Sequence, residues 1–400
     1  MTPGYTLLAV LGRSALGFVL GRQRALSVAG GDARRLHSLP VYYGSSVLLF
    51  TAIPALILLA AIAFLHPWLG AAATGPVPAV LVLLAALVGL AIATLRITRD
   101  QRARNIVEQA VKALLIGCSL IAVLTTVGIV ASLLFESIHF FRLYPASEFF
   151  LSLTWNPQFR GGSELGIWPL LWGTLYVSVV ALVVAVPVGL MAAVYLSEYA
   201  SRRTRAFAKP AIEMLAGIPT IVYGLFALIT VGPLLRDYVA QPLGLGTSSS
   251  SVMTAGLVMG VMLIPFVSSL SDDIMNAVPQ AMRDGSFGLG ATPSETVRQV
   301  VLPAALPGIV GAILLAASRA IGETMIVVMG AGAAARLNLN PFEAMTTITV
   351  KIVSQLTGDT EFASPETLVA FALGLTLFCF TLVLNVVALI IVRKYREQYE

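Results

Sequence analysis

Residues 167–195, IWPLLWGTLYVSVVALVVAVPVGLMAAVY, run without a single charged side chain. About 20 residues of helix cross a bilayer core, so this stretch spans a membrane with length left over for tilt. The whole chain repeats the pattern. Of 400 residues, 58% are hydrophobic and 11% charged, and the mean hydropathy is +0.89. A soluble chain carries roughly a quarter charged residues to keep its surface wet, so this exterior faces lipid. The reading is an all-α polytopic membrane protein.

Nine candidate spans follow from apolar runs, over residues 5–20, 45–65, 77–95, 113–134, 167–195, 210–231, 252–270, 309–329 and 368–392. The first is short and carries Arg13 near its middle. Residues 1–111 read as an N-terminal three-helix extension with a basic linker at 96–104, and residues 112–400 as a six-span block with larger loops. Cys118 and Cys379 both fall in apolar runs and read as small packing residues. Nothing basic precedes the first run and no small-residue cleavage site follows it, so a cleaved signal peptide is not expected.

A net charge of +5 could suggest a nucleic-acid partner, but its distribution argues for a membrane orientation signal. One set of loops holds Arg22, Arg24, Arg34, Arg35, Arg96, Arg99, Arg102, Arg104 and Lys112. The same side holds Arg202, Arg203, Arg205, Lys209, Arg283 and Arg298, then Arg393, Lys394 and Arg396. The other side has Arg142, Arg160, Arg236, Arg336 and Lys351. The rich side is cytoplasmic. Nine spans then leave the C-terminus inside and the N-terminus in the periplasm; if the first segment does not cross, the N-terminus is inside instead. The lipid bilayer is the expected partner, with no nucleic acid.

The cytoplasmic stretch 271–307, SDDIMNAVPQAMRDGSFGLGATPSETVRQVVLPAALP, is long, moderately polar and helix-prone. It reads as a helix, a glycine break at 288–290, a second amphipathic helix and a stop at Pro303. Thr292-Pro293-Ser294-Glu295 is a helix start, because proline suits the first turn and Glu295 favours its positive end. Val297, Val300, Val301 and Leu302 form an apolar stripe expected to meet a partner surface. This segment resembles the signature loop of ABC importer permeases: an E-A-A triplet, three residues, glycine, nine residues, then I-x-L-P. Asp284-Gly285-Ser286 stands at the triplet and keeps only its acid, Gly290 at the glycine, and Val300-Val301-Leu302-Pro303 at the ending. The resemblance implies a short coupling helix that docks on an ATP-hydrolysing subunit. Gly290 would make the sharp turn, since glycine adopts positive φ cheaply.

The eighth span holds the second constellation. Arg319 sits inside it, where an arginine costs about 2.5–3.5 kcal/mol on insertion scales. Glu323 follows four residues later, on the same face of a continuous helix and within pairing reach. One reading is a self-neutralising pair that joins helices; the other is a polar lining for a tetrahedral oxyanion, to which guanidinium offers a permanently charged donor fork. The run RAIGETMIVVMGAG at 319–332 resembles the phosphate importer permeases of the PstC family, and Thr324-Met325 favours that family over the PstA type. Trp155-Asn156-Pro157, Gly173-Thr174-Leu175 and LAGIPTIVYG at 215–224 agree with it. In the last of these Pro219 removes a backbone donor while Gly217 and Gly224 loosen the helix, which reads as a kink beside a pore or moving interface. Gly217, Pro219, Thr220 and Gly224 are therefore hinge candidates.

The resemblance implies a six-helix type I ABC importer core, with the extension seen in longer PstC members. Arg319, Glu323 and Thr324 would line the substrate path. Its implied partners are a PstA-like second permease, a PstB-like ATPase dimer that binds ATP-Mg, and a PstS-like phosphate-binding protein received by outer loops 135–166 and 329–367. The implied location is a bacterial inner membrane. No G-x-x-x-x-G-K-[ST] run exists, so the chain is expected to bind no ATP, cofactor or metal of its own. There is no H-E-x-x-H, and His37, His66 and His139 lie in loops or at membrane edges, which disfavours a hydrolase. A secondary transporter would be expected to show inverted repeats and several midplane carboxylates. Permeases for sulfate, molybdate or phosphonate are the nearer alternatives, and a non-transporting scaffold would leave Arg319 without a use.

Overall fold

The computed structural model describes residues 3–69, 76–158, 162–358 and 364–396; Arg160 and the side chains of His66 and Arg396 lie outside that description. Two compact units emerge, Met1–Val127 and Gly128–Glu400. The division falls inside one long helix rather than at the basic linker.

The first unit holds α1 (Pro3–Val28), α2 (Pro40–Leu69) and α3 (Val77–Leu95), with the first part of α4 (Ala103–Leu143). The first expected span, 5–20, is thus the core of a 26-residue helix. It tolerates Arg13 because the guanidinium reaches the Leu83 carbonyl at 3.4 Å. At the linker end, Tyr43 donates to the carbonyls of Arg99 and Gln101, and Arg99 donates to the Val28 carbonyl. Ala25, Ala29, Val47, Ala93 and Ile97 fill the space between these helices. The small side chains allow close approach in lipid, where apolar burial alone does not drive helices together.

The second unit continues α4, whose Leu114, Leu120, Ile121 and Val123 are exposed apolar surface, and adds the short α5 (Ala146–Leu151). A small antiparallel pair follows, β1 (Trp155–Asn156) with β2 (Glu164–Leu165). Then come α6 (Trp168–Tyr199), α7 (Arg202–Ala216), α8 (Thr220–Ala240) and α9 (Val252–Asn276). After α10 (Gln280–Gly288) the chain forms α11 (Pro293–Ile321), α12 (Met325–Gly330), α13 (Ile348–Gly358) and α14 (Pro365–Arg396). Nine helices among the described residues are long and apolar enough to cross a membrane.

The core of this unit is built on α9. Its best apolar window is 67% buried within the chain, against 33% for α6 and α11, so α9 is the central post. Val177, Ala181 and Ala185 of α6 meet Ala255, Met259 and Met262 of α9, with Ala316 and Ala320 of α11 completing the cluster. A second cluster around Phe140, Phe149, Trp155, Leu165 and Ile348 joins the hairpin to α13 and α14.

Two of the expected spans are broken. Residues 210–231 are not one helix: α7 ends at Gly217, and α8 begins after Pro219, which stands in extended conformation at its N-terminus. Pro219 is therefore a joint between two helices and not a kink inside one. The first residues of that expected span belong to α7, which is amphipathic and lies outside the spans. Likewise 309–329 is split, because α11 stops at Gly322 and α12 starts afresh at Met325. Apolar content hides both breaks, since hydropathy is blind to backbone direction.

Candidate functional site

Arg319 lies in the last turn of α11. Its guanidinium carbon sits 6.0 Å from the centre of the Phe266 ring, within the range at which a cation is attracted to an aromatic face. Phe266 is near the middle of α9, about 21 Å from one end and 15 Å from the other at 1.5 Å per residue. Arg319 is exposed in the isolated chain. No acceptor or acid pairs with it among the described residues.

The expected Arg319–Glu323 pair does not form. Four-residue spacing brings two side chains together only while the helix continues, and here Gly322 ends it. Glu323 instead turns to α12: its Oε1 accepts from the backbone N–H groups of Met325 at 3.1 Å and Ile326 at 3.4 Å. That is an N-terminal cap, in which a carboxylate satisfies amides left open by the helix start. The Glu323 carbonyl accepts from the Thr349 hydroxyl at 2.9 Å, which ties the joint to α13. Thr324 is half-buried and occupies the position before α12, with its hydroxyl 3.4 Å from the Gly322 carbonyl.

The second broken helix packs against the same joint. A Cβ on Gly224 would lie 2.8 Å from the Met325 carbonyl oxygen and 3.1 Å from Met329 Sδ, so glycine is required for α8 and α12 to touch. One turn on, Ala227 meets Gly330. Thr220 is half-buried at the start of α8, while Gly217 and Pro219 are exposed. Thus Gly224 packs on the start of α12, beside the amides that Glu323 caps, and Gly217 and Pro219 form the opposite joint. Non-helical backbone within a membrane bundle is tolerated only where protein or a water-filled path covers it.

The elbow at 280–303 also departs from expectation in two ways. Gly290 has φ +87, as the sharp turn demands. Thr292 and Glu295 form a reciprocal capping box with Pro293 at the first helical position. However, Pro303 does not stop the helix. Val297–Val301 is a widened turn in which the Leu302 N–H reaches the Val297 carbonyl five residues back, and this slack accommodates a proline that a tight α-turn would reject. Nor does the valine stripe face outward. Val297 and Val301 are buried, and Val301 packs with Met275, Val278, Ala305 and Ile309 of its own chain. Val300 and Leu302 are half-buried and Pro303 exposed.

The apolar surface offered at the elbow is Phe287 and Leu289, the latter 92% exposed. Sequence reading missed both, although their place beside Gly288 and Gly290 could have signalled a protruding tip. Asp284 is exposed and accepts from Gln280 Nε2 at 3.1 Å. Behind the tip, Arg283 is buried and bound to Glu198 at 2.9 Å. Asp272, 1% exposed, takes Arg205 and Lys209 of α7 at 2.9 and 2.8 Å. These ties span 63, 67 and 85 residues of sequence, and no local signal predicts them.

A bundle of long apolar helices, two of them interrupted and touching one another, with a cation at the end of α11 that no described residue pairs and a glycine-tipped helical elbow, fits a membrane transport subunit. The chain belongs to the family of binding-protein-dependent transport system inner membrane components, whose model matches residues 185–397. Residues 6–78 match a model described as phosphate ATP-binding cassette transporter. The chain is 31% identical over 284 residues to the "Probable ABC transporter permease protein YqgH" of Bacillus subtilis, covering 70% of this chain and 90% of that one. It is 32% identical to the phosphate transport system permease protein PstC of Mesorhizobium japonicum, over 60% of this chain and 76% of that one. With PstC 1 of Mycobacterium tuberculosis it shares 35% identity, over 62% and 82% respectively. The protein is a multi-pass inner-membrane permease subunit.

Proposed function

We propose that this chain forms half of the path of an ATP-driven importer of inorganic phosphate. The observation that carries the reading is Arg319, a permanent cation beside a helix break, opposite the middle of α9 and unneutralised by the described residues of its own chain. Glu323 is engaged in capping α12, which leaves the guanidinium fork to a travelling oxyanion. A tetrahedral phosphate suits that fork through paired charge-assisted hydrogen bonds. A single cation, not a cage of them, keeps the site weak enough for the anion to leave.

In this account a PstA-like permease supplies the other half of the path. A PstB-like ATPase dimer binds ATP-Mg and hydrolyses it; this chain carries no nucleotide chemistry. A PstS-like binding protein delivers phosphate to the outer face. There an open hollow of about 570 Å³ is lined by Trp155, Asn156, Arg336 and Asn338. Closure of the ATPase dimer pushes on the elbow at Phe287–Gly290, and the spans rock so that the α8–α12 joint is reached from one side and then the other. The C-terminus is cytoplasmic and the N-terminus periplasmic, following the arginine distribution.

The test is uptake of radiolabelled phosphate by the assembled complex carrying Arg319→Gln. Loss of one charge-assisted contact of roughly 1.5–3 kcal/mol lowers uptake by about tenfold or more with assembly intact. Normal uptake removes Arg319 from the mechanism, and competition by sulfate, molybdate or a phosphonate as strong as by phosphate reassigns the substrate.

A further inference from the structure

We infer that Arg283 is a positioning residue that couples the elbow to the membrane spans, with Glu198 as its partner; the inference rests on the permease reading above. Arg283 lies one turn into α10 and is 9% exposed. Its Nη2 donates to Glu198 Oε1 at 2.9 Å and to the Met275 carbonyl at 2.8 Å. Its Nη1 donates to the Val278 carbonyl at 2.6 Å. Glu198 sits in the widened last turn of α6 and is held in place by the Ser197 hydroxyl at 2.9 Å. Met275 belongs to the last turn of α9, and Val278 follows that helix. One side chain therefore joins three elements: the coupling helix, the end of α6 and the end of α9.

The mechanical consequence follows from what else holds α10. Its covalent link to α9 is the short segment Ala277–Val278–Pro279, and Pro279 stands in extended conformation at the start of α10 with no side-chain cap. At the far end, Ser286 meets Thr296 of α11 at 2.9 Å. Met282 packs in the first turn against Met275, Val278 and Val301, but apolar contact is non-directional, so a load applied at Phe287 and Leu289 would turn α10 about Pro279 unless that turn were also tied by directed bonds. Arg283 supplies those bonds. Because its guanidinium is a rigid fork with donors in several directions, it satisfies the two carbonyls and the carboxylate together, which a lysine ammonium does not reproduce at the same geometry. Motion of the tip is thereby passed to α6 and α9, two of the helices that form the core of the second unit.

A buried pair broken on one side leaves an unpaired charge and can destabilise a protein for that reason alone. The test therefore uses Arg283→Lys, which keeps a positive charge beside Glu198, and the double variant Arg283→Met with Glu198→Met, which leaves no charge behind. Each is purified as the complex with the second permease and the ATPase, placed in proteoliposomes with the phosphate-binding protein, and read as phosphate moved per ATP hydrolysed. The expected result is wild-type assembly of the double variant, basal ATP hydrolysis within about twofold, and a transport ratio lowered about tenfold, a loss typical of a broken coupling between sites. Arg283→Lys, which keeps the ion pair and loses the carbonyl contacts, is expected to fall between the two. A double variant that assembles and transports at the wild-type ratio overturns the inference, as does Arg283→Lys matching wild type. Failure of the wild-type complex to move phosphate overturns the permease reading instead.

Discussion

Gly217 and Gly224 stand in one sequence motif, LAGIPTIVYG, yet the structure assigns them different burdens, and substituting each by alanine separates them. At Gly224 a methyl carbon would sit 2.8 Å from the Met325 carbonyl oxygen. Ordinary contact begins near 3.4 Å, so α8 must retreat from α12 by about 0.6 Å, taking 3.4 minus 2.8. Met329 Sδ, at 3.1 Å, is the end of a flexible side chain and gives way. The Met325 carbonyl is backbone, one residue after the joint that Glu323 caps, and does not. Overpacking of this kind costs about 1–3 kcal/mol. Gly217 has φ −80, which any residue adopts, and its added carbon would meet only the Met214 carbonyl at 3.3 Å. Alanine there is near neutral, with up to about 0.4–1 kcal/mol gained from a less flexible unfolded chain. The assay is thermal unfolding of the purified complex in parallel with phosphate uptake. Gly224→Ala is expected to lose both stability and uptake while Gly217→Ala keeps them. Equal behaviour of the two variants refutes the claim that α8 and α12 are in enforced contact.

Three further outcomes follow from the elbow and the helix ends beside it. Gly290→Val forces a β-branched residue to φ +87, a strain of about 1–3 kcal/mol, and is expected to uncouple ATP hydrolysis from uptake; unchanged coupling counts against the elbow as the docking point. Thr292→Ala removes the hydroxyl that donates to Glu295 at 2.7 Å and accepts from its amide, and should cost about 0.5–2 kcal/mol in chemical unfolding of the complex, whereas no change would mean that the box contributes nothing. Lys209 is held above the ordinary lysine value of 10.5, first by its hydrogen bond to Asp272. A raised folded value means that its contribution is complete below pH 10.5 and is lost as the pH rises through the folded value. Stability should therefore carry an alkaline limb above that point that is absent in Lys209→Met, and an identical limb in the variant would contradict the assignment.

Composition made the spans legible because crossing a bilayer demands an apolar length whatever the packing. Val77–Leu95 has the same limits in sequence and structure. Gly290 and the helix start at Thr292–Glu295 were legible for a different reason: positive φ and helix starts are local properties of a few residues, although the reciprocal box itself came only from the structure. The breaks at Gly217–Pro219 and Gly322–Thr324 were not, since both lie inside apolar or mildly polar runs and a single glycine does not say whether a helix bends or ends. The Arg319–Glu323 pairing inherited that error, because the four-residue rule presumes the helix whose end Gly322 marks. Val297 and Val301 show a further limit: an amphipathic stripe announces that it will be buried but not by whom. The ties of Glu198 to Arg283 and of Asp272 to α7 depend on chain segments far apart, and only the fold brings them together.

The central claim is that the Arg319 position borders the route taken by the anion. It is tested most directly by Arg319→Cys in a chain whose Cys118 and Cys379 have been replaced, labelled in the assembled complex with a small positively charged thiol reagent. The account predicts labelling that phosphate slows and that restores part of the lost uptake by returning a positive charge to the site. Absence of labelling in every state of the ATPase cycle, or a rate indifferent to phosphate with no recovery of uptake, would contradict it.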